Sequence, residues 1–134
     1  MKTLSRKGRI AVEGSPPFQF LSPAIAASTT WLINFRSNTT HGARMWKYAP
    51  FNFVEIINNQ AEDVTLSING LGGIEILVRG NTAKKYTERP IEAVAITNRS
   101  AVNAIGAATI EVLIERLPAT ADSEANRKLA GSVR

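Results

Sequence analysis

The feature that most constrains the fold is an alternation of apolar and polar residues that recurs beyond Pro50, with turn residues between the runs. A period of two places successive side chains on opposite faces of a β-strand. Repeated short runs of this kind predict antiparallel strands that each bury one face. An earlier apolar stretch at 29–36, rich in β-branched and aromatic residues, predicts a further strand. The later predicted strands are 53–57, 64–68, 74–78, 84–87, 91–97 and 109–116.

An internal echo accompanies this alternation. Val-Glu-Ile-Ile-Asn at 54–58 is matched by Val-Ala-Ile-Thr-Asn at 94–98, and each is followed by a polar turn and another alternating strand. Two related hairpins that face each other would bury two half-apolar sheets around one core. We therefore predict an all-β fold, an antiparallel β-sandwich of jelly-roll or Greek-key type.

The length of 134 residues allows one ordinary domain. Residues 1–23 combine Lys and Arg with glycines and three prolines, which predicts an extended basic N-terminal arm. Residues 24–118 form the predicted sandwich, and the Ala-, Ser- and charge-rich segment 119–134 a flexible C-terminal tail. Because a free tail rarely carries two phenylalanines, part of the arm is expected to lie on a surface as an edge strand.

The composition argues against most catalytic sites. The chain has no cysteine, and its single histidine, His41, has no orienting carboxylate at a fixed spacing. We expect a surface or loop histidine, with a proton-sensitive interface contact as the alternative. The strand glutamates are expected to face water, and the glycine-rich turn at 69–73 lacks the Lys and Ser/Thr of a phosphate-binding loop. We therefore expect no enzyme activity, no cofactor and no metal.

We also find no secretory signal and no membrane-spanning segment in the sequence. The first residues are basic without the apolar run of a secretory signal, and the sequence has no stretch of about 18 apolar residues. We expect synthesis in the cytoplasm and no membrane partner.

Two groups of residues are candidates for binding a partner. Residues 1–50 carry a net charge of +6, against −2 for residues 51–118, and basic residues bind phosphates or acidic surfaces in a salt-dependent manner. Large aromatics either fill a core or anchor a partner, and the sequence leaves that choice open. The arm candidates are Lys2, Arg6, Lys7, Arg9, Phe18 and Phe20. The aromatic-loop candidates are Arg44, Trp46, Lys47, Tyr48 and Phe51.

The order of motifs from Phe53 to Glu115 also resembles a known group of proteins. It runs from an Ile-x-Asn strand end through an alternating strand ending Ile-Asn-Gly at 68–70, to a second Ile-x-Asn at 96–98 and a last strand with Ile-Glu-Val at 110–112. About half of the chain resembles small virion β-sandwich proteins, namely capsid decoration or cement proteins and minor structural proteins of tailed bacteriophages. The resemblance implies a non-catalytic, often trimeric sandwich on a capsid lattice, with an arm reaching over neighbouring subunits.

Our functional expectation is a structural virion protein, made in the host cytoplasm, that binds a capsid lattice and its own neighbours as a homo-oligomer. The strongly basic arm departs from the family pattern and leaves open an inward position that touches nucleic acid. Two alternatives follow from the residues. One is a carbohydrate-binding module that uses Trp31, Trp46 or Tyr48, and the other is a nucleic-acid-binding protein that uses the arm.

Overall fold

The computed structural model describes residues 13–38, 40–70 and 73–118. These ranges contain eight strands and one 3₁₀ helix at Gly42–Tyr48. The arm residues Lys2, Arg6, Lys7 and Arg9 and the predicted tail lie outside them. No helix within the described ranges is long and apolar enough to cross a membrane. The strands are β1 (Phe18–Leu21), β2 (Thr30–Ile33), β3 (Phe53–Asn58), β4 (Val64–Ile68), β5 (Ile74–Val78), β6 (Thr82–Tyr86), β7 (Val94–Asn98) and β8 (Ile110–Glu115).

The strands form two four-stranded antiparallel sheets. The first has the order β1-β8-β3-β6 and the second the order β2-β7-β4-β5. Among the described strands, only β4 and β5 follow each other both in the chain and in one sheet; the other connections cross from sheet to sheet. This strand order is that of a jelly roll, a sandwich built from two Greek keys. The predicted all-β sandwich is confirmed.

Alternation determines which face of each strand is buried. In β3 and β8 every second residue is buried, as in Ile110, Val112 and Ile114. The register sets Ile56 opposite Val112, so the apolar rows of neighbouring strands coincide. The rows of the two sheets meet in one core. Apolar burial of this kind supplies most of the free energy that holds a sandwich together.

Part of the predicted arm, residues 1–23, belongs to the sandwich. Its Phe18–Leu21 segment is an edge strand, as the sequence suggested, but it belongs to the first sheet and pairs with β8. We predicted partner contacts for Phe18 and Phe20; the structure instead buries both side chains in the core. Side chains alternate between the two faces of β1: Phe18 and Phe20 face the core, and Gln19 and Leu21 face outward. The sandwich therefore begins by Phe18 and not at residue 24.

The prediction of two facing hairpins is wrong. β3 and β4 lie in opposite sheets, and so do β7 and β8. The echo between 54–58 and 94–98 has another basis, since β3 and β7 both end in a fully buried asparagine, Asn58 and Asn98.

Asn98 ties together two loops at one end of the sandwich. Its Nδ2 donates to the carbonyls of Ile25 (3.1 Å), Ala26 (3.3 Å) and Asn103 (2.9 Å). Its Oδ1 accepts from the backbone N–H of Ser100 at 2.9 Å. A buried amide with donors and an acceptor can satisfy backbone groups that no strand reaches. Asn98 thus fixes the β1–β2 connection against the β7–β8 connection.

Asn58 does the same for the other pair of connections. Its Nδ2 donates to the carbonyls of Glu62 (2.9 Å), Val78 (3.4 Å) and Arg79 (3.2 Å). These carbonyls lie in the β3–β4 loop and at the end of β5. The repeated Ile-x-Asn motif therefore marks the same structural device in each sheet.

Candidate interaction surface

The 3₁₀ helix divides the predicted aromatic loop between core and surface. In a 3₁₀ helix, residues three apart lie above one another. Met45 is fully buried and Tyr48 is half-buried, whereas Arg44, Trp46 and Lys47 are exposed. Met45 thus anchors the helix and leaves Arg44, Trp46 and Lys47 accessible to a partner.

Phe51, the last predicted member of this loop, belongs to the core. Its side chain is fully buried and its ring packs edge-on against Phe18 (centroids 5.8 Å apart) and Phe35 (5.2 Å). Edge-to-face pairs at such distances are favourable beyond their buried area. We correct the prediction of a partner contact for Phe51 on this ground.

His41 holds the loop against strand β1. Its ring packs edge-on against Phe18 and Phe20, with centroids 5.1 and 4.9 Å away. Its Nε2 lies 2.8 Å from the carbonyl oxygen of Gln19, and its backbone N–H donates to Oδ1 of Asn38 at 2.6 Å. His41 is thus a half-buried residue of a loop, one of the two positions, surface or loop, that the sequence suggested.

Two cations lie over the aromatic side chains of the helix. The Arg36 guanidinium carbon is 4.4 Å from the Trp46 ring centroid, and the Lys47 ammonium is 5.0 Å from that of Tyr48. Cations over an aromatic face are attracted by its negative potential. Arg36 therefore restricts the exposed indole, which keeps Trp46 in place at the surface.

A groove of about 450 Å³ lies beside Trp46. It is lined by residues at the end of β2 and just after it, by the β4–β5 turn and by the segment before β7. A second groove of about 380 Å³ lies between the end of β1 and strand β2. Leu32 lines both grooves, so they form one continuous area.

Three exposed apolar side chains mark this area. Leu21 is 55% exposed, Leu32 63% and Trp46 37%. Leu21 lines the second groove and Trp46 the first, with Leu32 between them. We call Leu21, Leu32 and Trp46 the apolar corner. Large side chains that cluster in this way on a surface are characteristic of interaction sites.

Asn69 is one of the residues that line the first groove. It adopts a left-handed conformation with φ of 61°, which asparagine tolerates better than most residues. Its Oδ1 accepts from the backbone N–H of Glu92 at 2.7 Å, and its Nδ2 donates to the Pro90 carbonyl at 2.8 Å. The sequence indicated the turn but missed this link to the β6–β7 connection, since no local pattern joins residues 69 and 90.

The strand glutamates lie on the outer faces of the sheets. Glu75 is exposed, and Glu55, Glu111 and Glu115 are partly exposed. Glu55 is 3.7 Å from the ammonium of Lys85 on the adjacent strand β6. Within the described ranges, no group of three His, Asp or Glu side chains is placed to hold a metal ion.

Comparison of the chain with protein-family models, curated proteins and solved structures found no match. The class of the molecule is instead defined by the eight strands of the described ranges, which form a jelly roll. The resemblance to small virion proteins stays a prediction from the sequence.

Proposed function

We propose that this chain is a non-catalytic structural protein of a virion, which binds a capsid lattice and neighbouring subunits through the apolar corner. The observation that carries the proposal is the cluster of Leu21, Leu32 and Trp46 on two adjoining grooves. Jelly rolls occur both in viral capsid domains and in lectin domains. The fold alone therefore does not distinguish these two functions, and the residues at the surface are needed to distinguish them.

The apolar corner fits a protein partner better than water. Burying apolar surface contributes about 25 cal/mol per Å², and the aliphatic side chains of Leu21 and Leu32 offer such area without a polar group. An exposed tryptophan is the residue type most often found to dominate binding energy. The corner therefore supplies affinity when a partner covers it.

Basic residues lie at the Trp46 end of the corner. Arg36, Arg44 and Lys47 are exposed on the loop and helix that carry Trp46. Charges at the rim of an interface speed encounter with a surface of opposite charge more than they add affinity. An acidic capsid surface is consequently the partner that these residues favour.

Cosedimentation with purified capsids tests the proposal. The wild-type chain should pellet with capsids, and the triple variant Leu21→Ser, Leu32→Ser, Trp46→Ala should not. A matched control, Leu77→Ser with Val102→Ser, removes two exposed apolar side chains elsewhere and should pellet like the wild type. Equal pelleting of all three proteins, or none by the wild type, would refute the role of the corner.

A carbohydrate-binding role is the alternative that one observation favours. The groove beside Trp46 combines an exposed indole with the polar residues Asn34, Arg36 and Glu92, and sugars stack on indole rings through their apolar faces. Trp31 and Tyr48 are half-buried and less available. Binding on a glycan array that disappears in Trp46→Ala would establish this alternative.

Nucleic-acid binding through Lys2, Arg6, Lys7 and Arg9 concerns residues outside the described ranges and stays a prediction. A gel shift that weakens with salt and is lost on deletion of residues 1–12 would establish it.

A further inference from the structure

The free edge of β2 presents unpaired backbone groups. The Asn98 N–H donates to the Thr29 carbonyl at 2.9 Å, which makes Thr29 and Asn98 a hydrogen-bonded pair. Because such pairs alternate along an antiparallel ladder, Trp31 and Ile33 also bond to β7. The N–H and C=O groups of Thr30 and Leu32 therefore lie on the side of β2 opposite β7, where the sheet ends. No loop or turn of the described chain bonds to them.

The other three edge strands are protected. On β1, the Gln19 carbonyl is covered by His41. β5 carries Glu75, and β6 carries Lys84 and Lys85. Charged residues on an edge strand are a common means of preventing the addition of another strand. β2, with the sequence Thr-Trp-Leu-Ile, has no charge and no proline.

We infer that β2 pairs with β2 of a second copy of this chain, antiparallel about a twofold axis at Trp31. Thr30 then lies opposite Leu32 of the second copy, and Leu32 lies opposite Thr30 of the second copy. Each of these two pairs exchanges both N–H···O bonds, so the contact satisfies the free backbone groups of Thr30 and Leu32 in both copies. The two four-stranded sheets become one continuous sheet.

Charge favours a second β2 over β5 or β6, and on β1 His41 already contacts the Gln19 carbonyl. β5 carries the exposed Glu75 and β6 the exposed Lys84 and Lys85, and charges on an edge strand oppose the addition of another strand. Self-pairing buries no charge from either strand. It is also isologous, because the same residues face each other on both sides, and it therefore closes at two copies.

The inference deepens the proposed function, since it specifies one contact between neighbouring subunits. It does not depend on a capsid and can be tested with the purified chain. The family resemblance implied trimers, whereas an isologous β2 contact gives dimers. The molecular mass of the protein in solution therefore distinguishes these two oligomeric states.

Disulfide trapping tests the register. The chain has no cysteine, so the double variant Thr30→Cys, Leu32→Cys introduces the only thiols. Hydrogen-bonded antiparallel residues have Cα atoms about 5.5 Å apart, within the range of a disulfide. Mild oxidation should give a covalent dimer on a non-reducing gel. The matched control Glu75→Cys, Leu77→Cys places two thiols at the same spacing on β5 and should stay monomeric.

Light scattering on the full chain gives a second, independent measurement. The wild type should have twice the 14.5 kDa mass of the chain. Leu32→Lys should weaken the dimer about tenfold or more, because a lysine on an edge strand opposes the addition of another strand. Leu77→Lys, at an exposed leucine on β5, should leave the dimer intact.

A monomeric or trimeric wild type, or equal cross-linking of both cysteine variants, would overturn the inference. If the cysteine variant does not fold, the Leu32→Lys comparison still decides. A monomer that pellets with capsids would overturn the pairing and retain the proposed function. A dimer that does not pellet with capsids would support the pairing and overturn the proposed function.

Discussion

Replacing Asn98 by alanine should cost the fold a large part of its stability. Two of the three carbonyls that its amide contacts keep another donor, since the Ile25 carbonyl also accepts from Ile105 and the Ala26 carbonyl from Thr29. The groups that lose their partner are the Asn103 carbonyl and the Ser100 N–H. The cost therefore comes mainly from these two groups.

The magnitude follows from that count. An unsatisfied backbone group costs about 1–3 kcal/mol when it is buried. Ser100 and Asn103 lie in a loop that water partly reaches, so we expect about 2–4 kcal/mol in total. A chain of 134 residues changes its Tm by roughly 4 °C per kcal/mol. Asn98→Ala should therefore melt roughly 8–16 °C below the wild type.

Urea and thermal unfolding followed by circular dichroism measure this difference. The matched control is Asn59→Ala, an exposed asparagine one residue beyond β3, which should stay within about 0.5 kcal/mol of the wild type. If Asn98→Ala unfolds with the same free energy as Asn59→Ala, the buried amide does not tie the loops together and the reasoning fails.

A carboxyl group at the same position adds a dependence on pH. In Asn98→Asp the new side chain can donate to the carbonyls only when protonated, and burial raises the pKa of such a carboxyl above its usual value of about 3.9. As pH rises through the unfolded-state pKa, the unfolded chain releases its proton before the folded chain does. Stability of Asn98→Asp should therefore fall from pH 4 to pH 7 relative to the wild type. A difference that does not change with pH would contradict this account.

Three further predictions concern other parts of the molecule. Phe51→Ala should lower the free energy of unfolding by about 3–5 kcal/mol in urea unfolding, as expected for a core aromatic and not for a surface anchor. Gly14→Ala should destabilise by more than Gly42→Ala in thermal unfolding: both have positive φ, but a Cβ at Gly14 would lie 2.6 Å from the Arg116 carbonyl oxygen, and at Gly42 it would meet open space. Lys85→Gln should change the free energy of unfolding by less than about 1 kcal/mol, because the Lys85 side chain of its ion pair with Glu55 is 66% exposed to solvent.

The sequence predicted the strands well because alternation is a local signal. The predicted strands at 64–68 and 74–78 coincide with β4 and β5, and the others differ by a few residues at their ends. Pairing was less predictable. β3 and β4 are neighbours in the chain but lie in opposite sheets, and no local pattern records which sheet a strand joins.

The candidate site was predicted only in part. Trp46, Arg44 and Lys47 are exposed as a partner surface requires, whereas Phe18 and Phe51 fill the core. Composition indicates that a large aromatic side chain will be buried, but not whether it is buried in the core of its own chain or in an interface with a partner. The exposure of Leu32 depends on β2 being an edge strand, which follows only from the whole topology.

The position of β8 has a consequence for how the chain acquires its structure. Although β8 is the last strand in the described sequence, it lies inside the first sheet, between β1 and β3. During synthesis, β1 and β3 emerge long before the strand that must lie between them. The first sheet cannot close until residue 115 has left the ribosome, so we expect folding to complete after translation of the whole domain and to be slow, as it is for other sandwiches dominated by distant contacts.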